Sequence, residues 1–170
     1  DTFFSIMNAT IDNRYSQAFE YILFAPVDAV NKSLVMKKVW NVSGNCVMYY
    51  MRLAQMYLIK AEAAVYLGEP ANDVLKIIND NLRTRSGNEP LDPLNYPDRQ
   101  SLAEIVFKEY VREMCFENGE EWFVAIRMTN STGQRLLSDF NPNYTDDNQL
   151  CFPLPKNEFD FNQLLKKQNP

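Results

Sequence analysis

Histidine is absent from this 170-residue sequence, and cysteine and glycine are scarce, at three and five residues. Without an imidazole the chain lacks the commonest general base near neutral pH, the usual serine and cysteine triads and most zinc-binding patterns. Cys46, Cys115 and Cys151 are odd in number and far apart, so they suggest neither a four-cysteine metal site nor a disulfide framework. Buried thiols acting as small hydrophobes are the expectation. An excess of positive charge is missing too. Seventeen Lys and Arg against 22 Asp and Glu leave a net charge of −5 and a pI near 4.8. That excludes nucleic acid as a partner, because its binding needs Lys and Arg clustered on one face. No apolar run approaches the roughly 20 residues that span a bilayer. There is no signal peptide and no Met at position 1; the chain opens DTFFSIMNAT, as a piece of a longer polypeptide would.

What is present suffices for a core. Hydrophobic residues make up 46% and charged ones 23%, which suits one compact unit and argues against global disorder. The acidity is concentrated late: residues 1–85 hold 9 basic and 8 acidic side chains, residues 86–170 hold 8 and 14.

Residues 1–46 are the least regular part. Thr2–Met7, Glu20–Phe24 and Leu34–Val42 have the aromatic and β-branched content of short strands. Ala25-Pro26 and Ser43-Gly44-Asn45 punctuate them. A long helix is then predicted from Val47 to Gly68, with Tyr50, Ala54, Tyr57, Leu58, Ala61, Ala64 and Val65 at spacings of three and four. Gly68 suits the left-handed helix end, and Pro70 opens a second helix with Val74, Leu75, Ile78 and Leu82 facing inward. Ser86-Gly87 stops it. A proline-rich loop, Asn88–Gln100, leads to Ser101-Leu-Ala-Glu104, a capping-box pattern expected to start a helix running to about Glu117. Asn118-Gly119 ends that helix, and a shorter one over Glu120–Met128 carries Trp122, Phe123 and Ile126; Trp122, like Trp40, is read as core. Beyond it only Gln134–Ser138 looks helical before a half-apolar tail expected to pack back on the body.

The two helices at 47–87, with Ala54, Ala61 and Ala64 permitting close approach, form a tetratricopeptide-like hairpin, although one hairpin is also an ordinary helical motif. Read with its surroundings, the hairpin carries more. RLAQMYLIKAEA (Arg52–Ala63) followed by LRTRSG (Leu82–Gly87) resembles the SusD/RagB family of glycan-binding outer-membrane lipoproteins. KEYVREMCFENGEEWFVAIR (Lys108–Arg127) matches a family segment in which Glu109, Glu113, Phe116, Glu117, Gly119, Trp122, Phe123 and Arg127 fall in place. Phe152–Pro170 resembles the family's carboxyl terminus, and TFFSI a strand preceding this region. Departures occur at Gln55, Asn118, Glu121 and Val124; where the family has charged residues, they imply altered internal pairing.

Two groups of side chains invite a chemical reading. Glu109, Glu113 and Glu117 share one helix face, a geometry open to a metal or to acid–base work. Interleaved Lys108 and Arg112 favour the plainer alternative of a charge network without chemistry. Aromatics on polar loops suit sugars, whose rings stack on flat faces while their hydroxyls seek amide and guanidinium partners. Asn13, Arg14, Tyr15, Tyr96, Asn143 and Tyr144 have that character.

The expectation is therefore an all-α fold: a tetratricopeptide-like hairpin with further packed helices, long loops and a few short peripheral strands. Residues 1–46 would form an irregular, strand-containing lead-in and residues 47–170 the helical region, in one compact unit. The resemblance implies a non-catalytic glycan- or nutrient-binding component, without cofactor or metal. Its partner would be a TonB-dependent outer-membrane transporter (SusC-like), at the cell surface, with membrane contact only through a lipid anchor lying upstream. The alternative is a structural or adhesion module on the same scaffold, with no sugar ligand.

Overall fold

The structure is a computed structural model that describes residues 13–14, 19–23, 32–36, 49–114 and 117–168. The expected strand at Thr2–Met7, together with Tyr15, Trp40, Cys46 and Cys115, lies outside them. Two compact units are present, up to Leu136 and from Leu137 onward, and each is taken by itself.

In the first unit, β1 (Phe19–Leu23) pairs antiparallel with β2 (Lys32–Met36), Phe19 opposite Met36 and Leu23 opposite Lys32. Of the expected strand Leu34–Val42, residues 34–36 belong to β2 and the remainder lies outside the described residues. The body is helical: α1 (Leu53–Leu67), α2 (Ala71–Ile78), α3 (Arg99–Met114) and α4 (Glu120–Arg127). α3 is the central element, packing against α1, α2 and α4. Its surface is buried almost all round, through Leu102, Ile105, Val106, Phe107, Tyr110, Val111 and Met114. A helix apolar on most sides must lie inside a bundle, since only burial offsets the cost of ordering it. Opposite it stand Ala54, Leu58, Ala61 and Val65 of α1, spaced three and four apart as predicted, and Val74, Leu75 and Ile78 of α2.

Three boundaries depart from the sequence reading. α1 starts at Leu53 rather than Val47, because Arg52 is extended at φ −126°, ψ 153°. The Tyr49 and Tyr50 carbonyls accept instead from the Asn118 side-chain amide, at 2.6 and 3.2 Å, and Tyr50 is 87% exposed rather than in the stripe. The second helix is not uniform: after Ile78 it widens into a π-helical turn, Asn79–Arg83, then closes with Thr84–Ser86 and Gly87 at φ 69°. Wider bonding delays the rotation of the chain, so Leu82 and Arg83 are both buried. Finally, the expected capping box at Ser101 is displaced by one at Asp98. The Asp98 carboxylate accepts from the Ser101 N–H at 2.8 Å, and Ser101 Oγ accepts from the Asp98 N–H at 3.3 Å. Aspartate is at least as good a cap as serine and captures the start two residues earlier.

The second unit contains a helical turn, Leu137–Phe140, a 3-10 turn, Asp147–Leu150, and a short helix, Lys156–Phe161. The helical turn starts three residues later than expected. Asp146 and Gln149 form a reciprocal cap around the 3-10 turn, and the Gln168 amide makes two bonds to the backbone of Leu154, at 2.6 and 3.1 Å. Cys151, the one cysteine among the described residues, is exposed rather than buried. Among the described residues no helix is long and apolar enough to cross a membrane.

Leu58 has no exposed surface, at the centre of the α1–α3 contact. Leu58→Ala is expected to lower the unfolding free energy by about 2–5 kcal/mol, read from the urea midpoint. Asp98→Ala, which removes only a cap, should lower it by about 1 kcal/mol.

Candidate functional site

The acidic face of α3 is the most concentrated chemistry in the described chain. Glu109 and Glu113 lie one turn apart on the helix, and Glu117 follows after its end. Each carboxylate is buried, Glu109 completely. A bare carboxylate there would cost several kcal/mol, so each needs a partner of opposite charge. Five arginines supply them. Glu109 takes Arg14 and Arg83 at 2.7 Å and Arg112 at 2.8 Å. Glu113 takes Arg85 at 2.5 Å, Arg52 at 3.1 Å and Arg14 at 3.2 Å. Glu117 takes Arg52 Nε at 2.5 Å. Arg52 also donates to the Glu113 carbonyl at 2.8 Å, and Arg83 Nε to the Glu89 carbonyl at 2.6 Å.

The arginines come from different places in the chain: Arg52 just before α1, Arg83 from the π turn, Arg85 from the final turn of the hairpin, and Arg14 from the amino-terminal segment. The planar guanidinium fork suits this bridging, since one side chain can serve two carboxylates at once. Burial alone would raise the Glu113 pKa, but Arg14, Arg85 and Arg52 outweigh it and hold the carboxyl below its usual range. Arg52 is driven the other way: burial disfavours its charge, yet bonding to Glu117 and the fields of Glu117 and Glu113 leave its pKa raised. A general acid needs the reverse, a carboxyl lifted toward neutrality. These groups are locked in the charged state, and the arrangement is a clamp between the hairpin and α3.

A second, smaller cluster joins α1, α3 and α4. The Tyr110 hydroxyl donates to Glu62 at 2.8 Å, and Arg127 meets the same carboxylate at 3.1 and 3.2 Å. Burial, then the Glu62 charge, pushes the Tyr110 pKa far up, so it stays a neutral donor.

The sequence-predicted ligand residues fall in both units and are taken one by one. Arg14 is 6% exposed and committed to Glu109 and Glu113, which corrects its reading as a loop residue open to ligand. Asn13 stitches its segment to the end of the hairpin, donating to the Gly87 carbonyl at 2.8 Å while its N–H donates to Asn88 Oδ1 at 2.9 Å. Tyr15 lies outside the described residues. Tyr96 ends the 3-10 turn Pro93–Asn95, half-buried, with its pKa raised by burial. Asn143 and Tyr144 belong to the second unit. Asn143 is exposed, its carbonyl accepting from the Gln149 amide, and the Tyr144 hydroxyl donates to Asp147. The structure thus joins Asn13 and Arg14 to the hairpin end.

Sequence reasoning found the three carboxylates and Arg112 but not Arg52, Arg83 or Arg85 as their partners. The signal was available: each of these arginines sits inside a family motif, RLAQ or LRTRSG. Trp122, expected in the core, is half exposed at 44%, as is its neighbour Phe123 at 54%. Val124, one of the departures from the family pattern, is instead fully buried.

Fold and charge network together define a helical-hairpin scaffold whose buried charges hold its helices in register. The chain belongs to the SusD family, whose sequence model matches residues 26–170. Among solved structures it is similar to a SusD superfamily protein from Bacteroides fragilis, at 23% identity and a TM-score of 0.66. That match covers 98% of this chain and 39% of the other, so the chain spans about two-fifths of the solved protein's length. No curated protein matches it.

Glu109→Gln leaves three arginines facing a neutral amide in a dry site, and is expected to cost about 3–5 kcal/mol in urea unfolding. Stability should also depend on pH at both ends. Glu113 has a folded pKa below its ordinary 4.5, so its contribution is present above that value and is lost as pH falls through the folded one. Tyr110 has a folded pKa above its ordinary 10.0, so its contribution is present below pH 10 and is lost as pH rises further. Unfolding free energy measured across pH should form a plateau between these limits. Glu113→Gln should flatten the acid flank and Tyr110→Phe the alkaline one.

Proposed function

We propose that this chain is part of a glycan- or nutrient-binding protein of the bacterial cell surface that passes its ligand to a TonB-dependent, SusC-like outer-membrane transporter. The observation that carries this reading is the family match over residues 26–170. The family's proteins are generally binders rather than catalysts, and the acidic face agrees with that role: its carboxylates are occupied by arginines. Capture would rest on aromatic faces flanked by amides, with release following from many weak contacts rather than bond breaking. Tyr96, Asn143 and Tyr144 remain the candidate contacts, with Tyr15 added on the sequence pattern alone, while Asn13 serves the hairpin end and Arg14 the clamp. Membrane attachment through an upstream lipid anchor belongs to the same reading.

Glycan-array screening followed by calorimetry on the retained sugars is the direct test. Binding without turnover is the expected result, with Tyr144→Ala or Tyr96→Ala weakening the affinity roughly three- to tenfold, the worth of one aromatic contact. Retention of no glycan, or hydrolysis of a retained one, would overturn the reading. Capture of the transporter by the surface-expressed protein, read by co-purification, tests the partner separately.

A further inference from the structure

The chain has eight arginines. Six of them, Arg14, Arg52, Arg83, Arg85, Arg112 and Arg127, are paired with glutamates. Arg135 donates to the Ile126 carbonyl. The eighth, Arg99, meets no carboxylate or carbonyl among the described residues and lies only over the Tyr66 ring, 5.2 Å from its centroid. An aromatic face orients a guanidinium without consuming its N–H groups, so all five donors of Arg99 stay available.

Beside this pair a pocket of about 270 Å3 opens between the last turn of α1 and the first turn of α3, lined by Val65, Tyr66, Arg99, Gln100, Ala103 and Thr129. Val65 and Ala103 are buried and apolar, whereas Tyr66 is 47% exposed and Arg99 is exposed. Gln100 is held in place, its amide N–H donating to the Thr129 carbonyl at 2.9 Å. The carboxylates nearby are occupied: Glu62 by Arg127 and Tyr110, Asp98 by the Ser101 N–H, and Glu104 by the other contact of the Gln100 amide at 3.3 Å. The pocket therefore combines an apolar floor, an amide and hydroxyl rim, and one cation that makes no ion pair among the described residues. Its volume has room for a single sugar ring and not for an oligomer.

The geometry points to a subsite for a hexuronic acid unit, its carboxylate gripped by Arg99 and its C–H face resting on Val65, Ala103 and Tyr66. This deepens the glycan-binding reading and rests on it. A guanidinium takes a carboxylate through two parallel N–H bonds, which a neutral hexose cannot offer. A free carboxylate would offer the charge without the ring, so the two sources are separable by experiment.

The test is NMR titration of the whole chain with methyl β-D-glucuronide, methyl β-D-glucoside and sodium acetate at matched ionic strength, following the Arg99 Nε–H and the Tyr66 ring. Saturable shifts with the glucuronide are expected, with the glucoside and acetate about tenfold weaker or more. Arg99→Gln should remove that preference while far-UV circular dichroism stays unchanged, since Arg99 holds none of the clamp carboxylates. Arg99→Lys, which keeps the charge but not the fork, should restore only part of it. Equal response to glucuronide and acetate, or an Arg99→Gln variant that keeps the preference, overturns the subsite. Should arrays retain only neutral glycans and Arg99→Gln leave them bound, the subsite fails while the glycan-binding reading stands. An Arg99-dependent glucuronide response with no glycan retained on any array supports the subsite and removes the uptake role.

Discussion

Three buried glutamates on and after one helix set the terms for the rest of this fold. Glu109, Glu113 and Glu117 cannot be left alone in a dry interior, and the arginines that answer them arrive from Arg14, Arg52, Arg83 and Arg85 as well as from Arg112 on the same helix. Each long-range pair fixes a distance between segments far apart in sequence. The start of α1, the end of the hairpin and the amino-terminal segment are all referenced to α3. Apolar packing along Leu58, Ile78 and Val106 supplies the driving force for association. It is non-directional, and the bonded arginines are what select one register from the several that packing alone would accept.

Local irregularities of the backbone follow from that demand. Arg52 stays extended at the mouth of α1, where its side chain spans Glu113 and Glu117 and its neighbours' carbonyls are taken by Asn118. The π turn at Asn79–Arg83 keeps Arg83 on the inner face beside Leu82, within reach of Glu109. Its cost is met locally: the Asn79 side chain forms a two-bond clasp on the backbone of Leu91, and Thr84 bonds the Asn79 carbonyl. A scaffold held in this way presents its loops from a rigid base.

The helical hairpin, its turn at Gly68 and its stop at Gly87 were legible in the sequence because they depend on neighbours three to five residues away. So was the family, through motifs carried by residues 52–63, 82–87 and 108–127. The start of α1 was not, because Arg52 is drawn out by carboxylates more than sixty residues distant. Trp122 was misplaced for a related reason: the period of α4 is correct, but which of its faces meets α3 is settled by Val124 and Ala125. The ligand residues were chosen by composition, and Arg14 shows the weakness of that criterion, since a polar local sequence says nothing about a carboxylate at position 109.

By itself, the sequence determined the helical class, the hairpin and the exclusion of imidazole chemistry, all of which follow from composition and short-range periodicity. Only the tertiary structure decided that the carboxylates of the acidic face are paired with arginines, and that Arg99 lies over the Tyr66 ring beside an open pocket. Pairing of charge is a property of distance in space. Arg83 and Arg99 have the same side chain and differ only in what the fold brings to meet them.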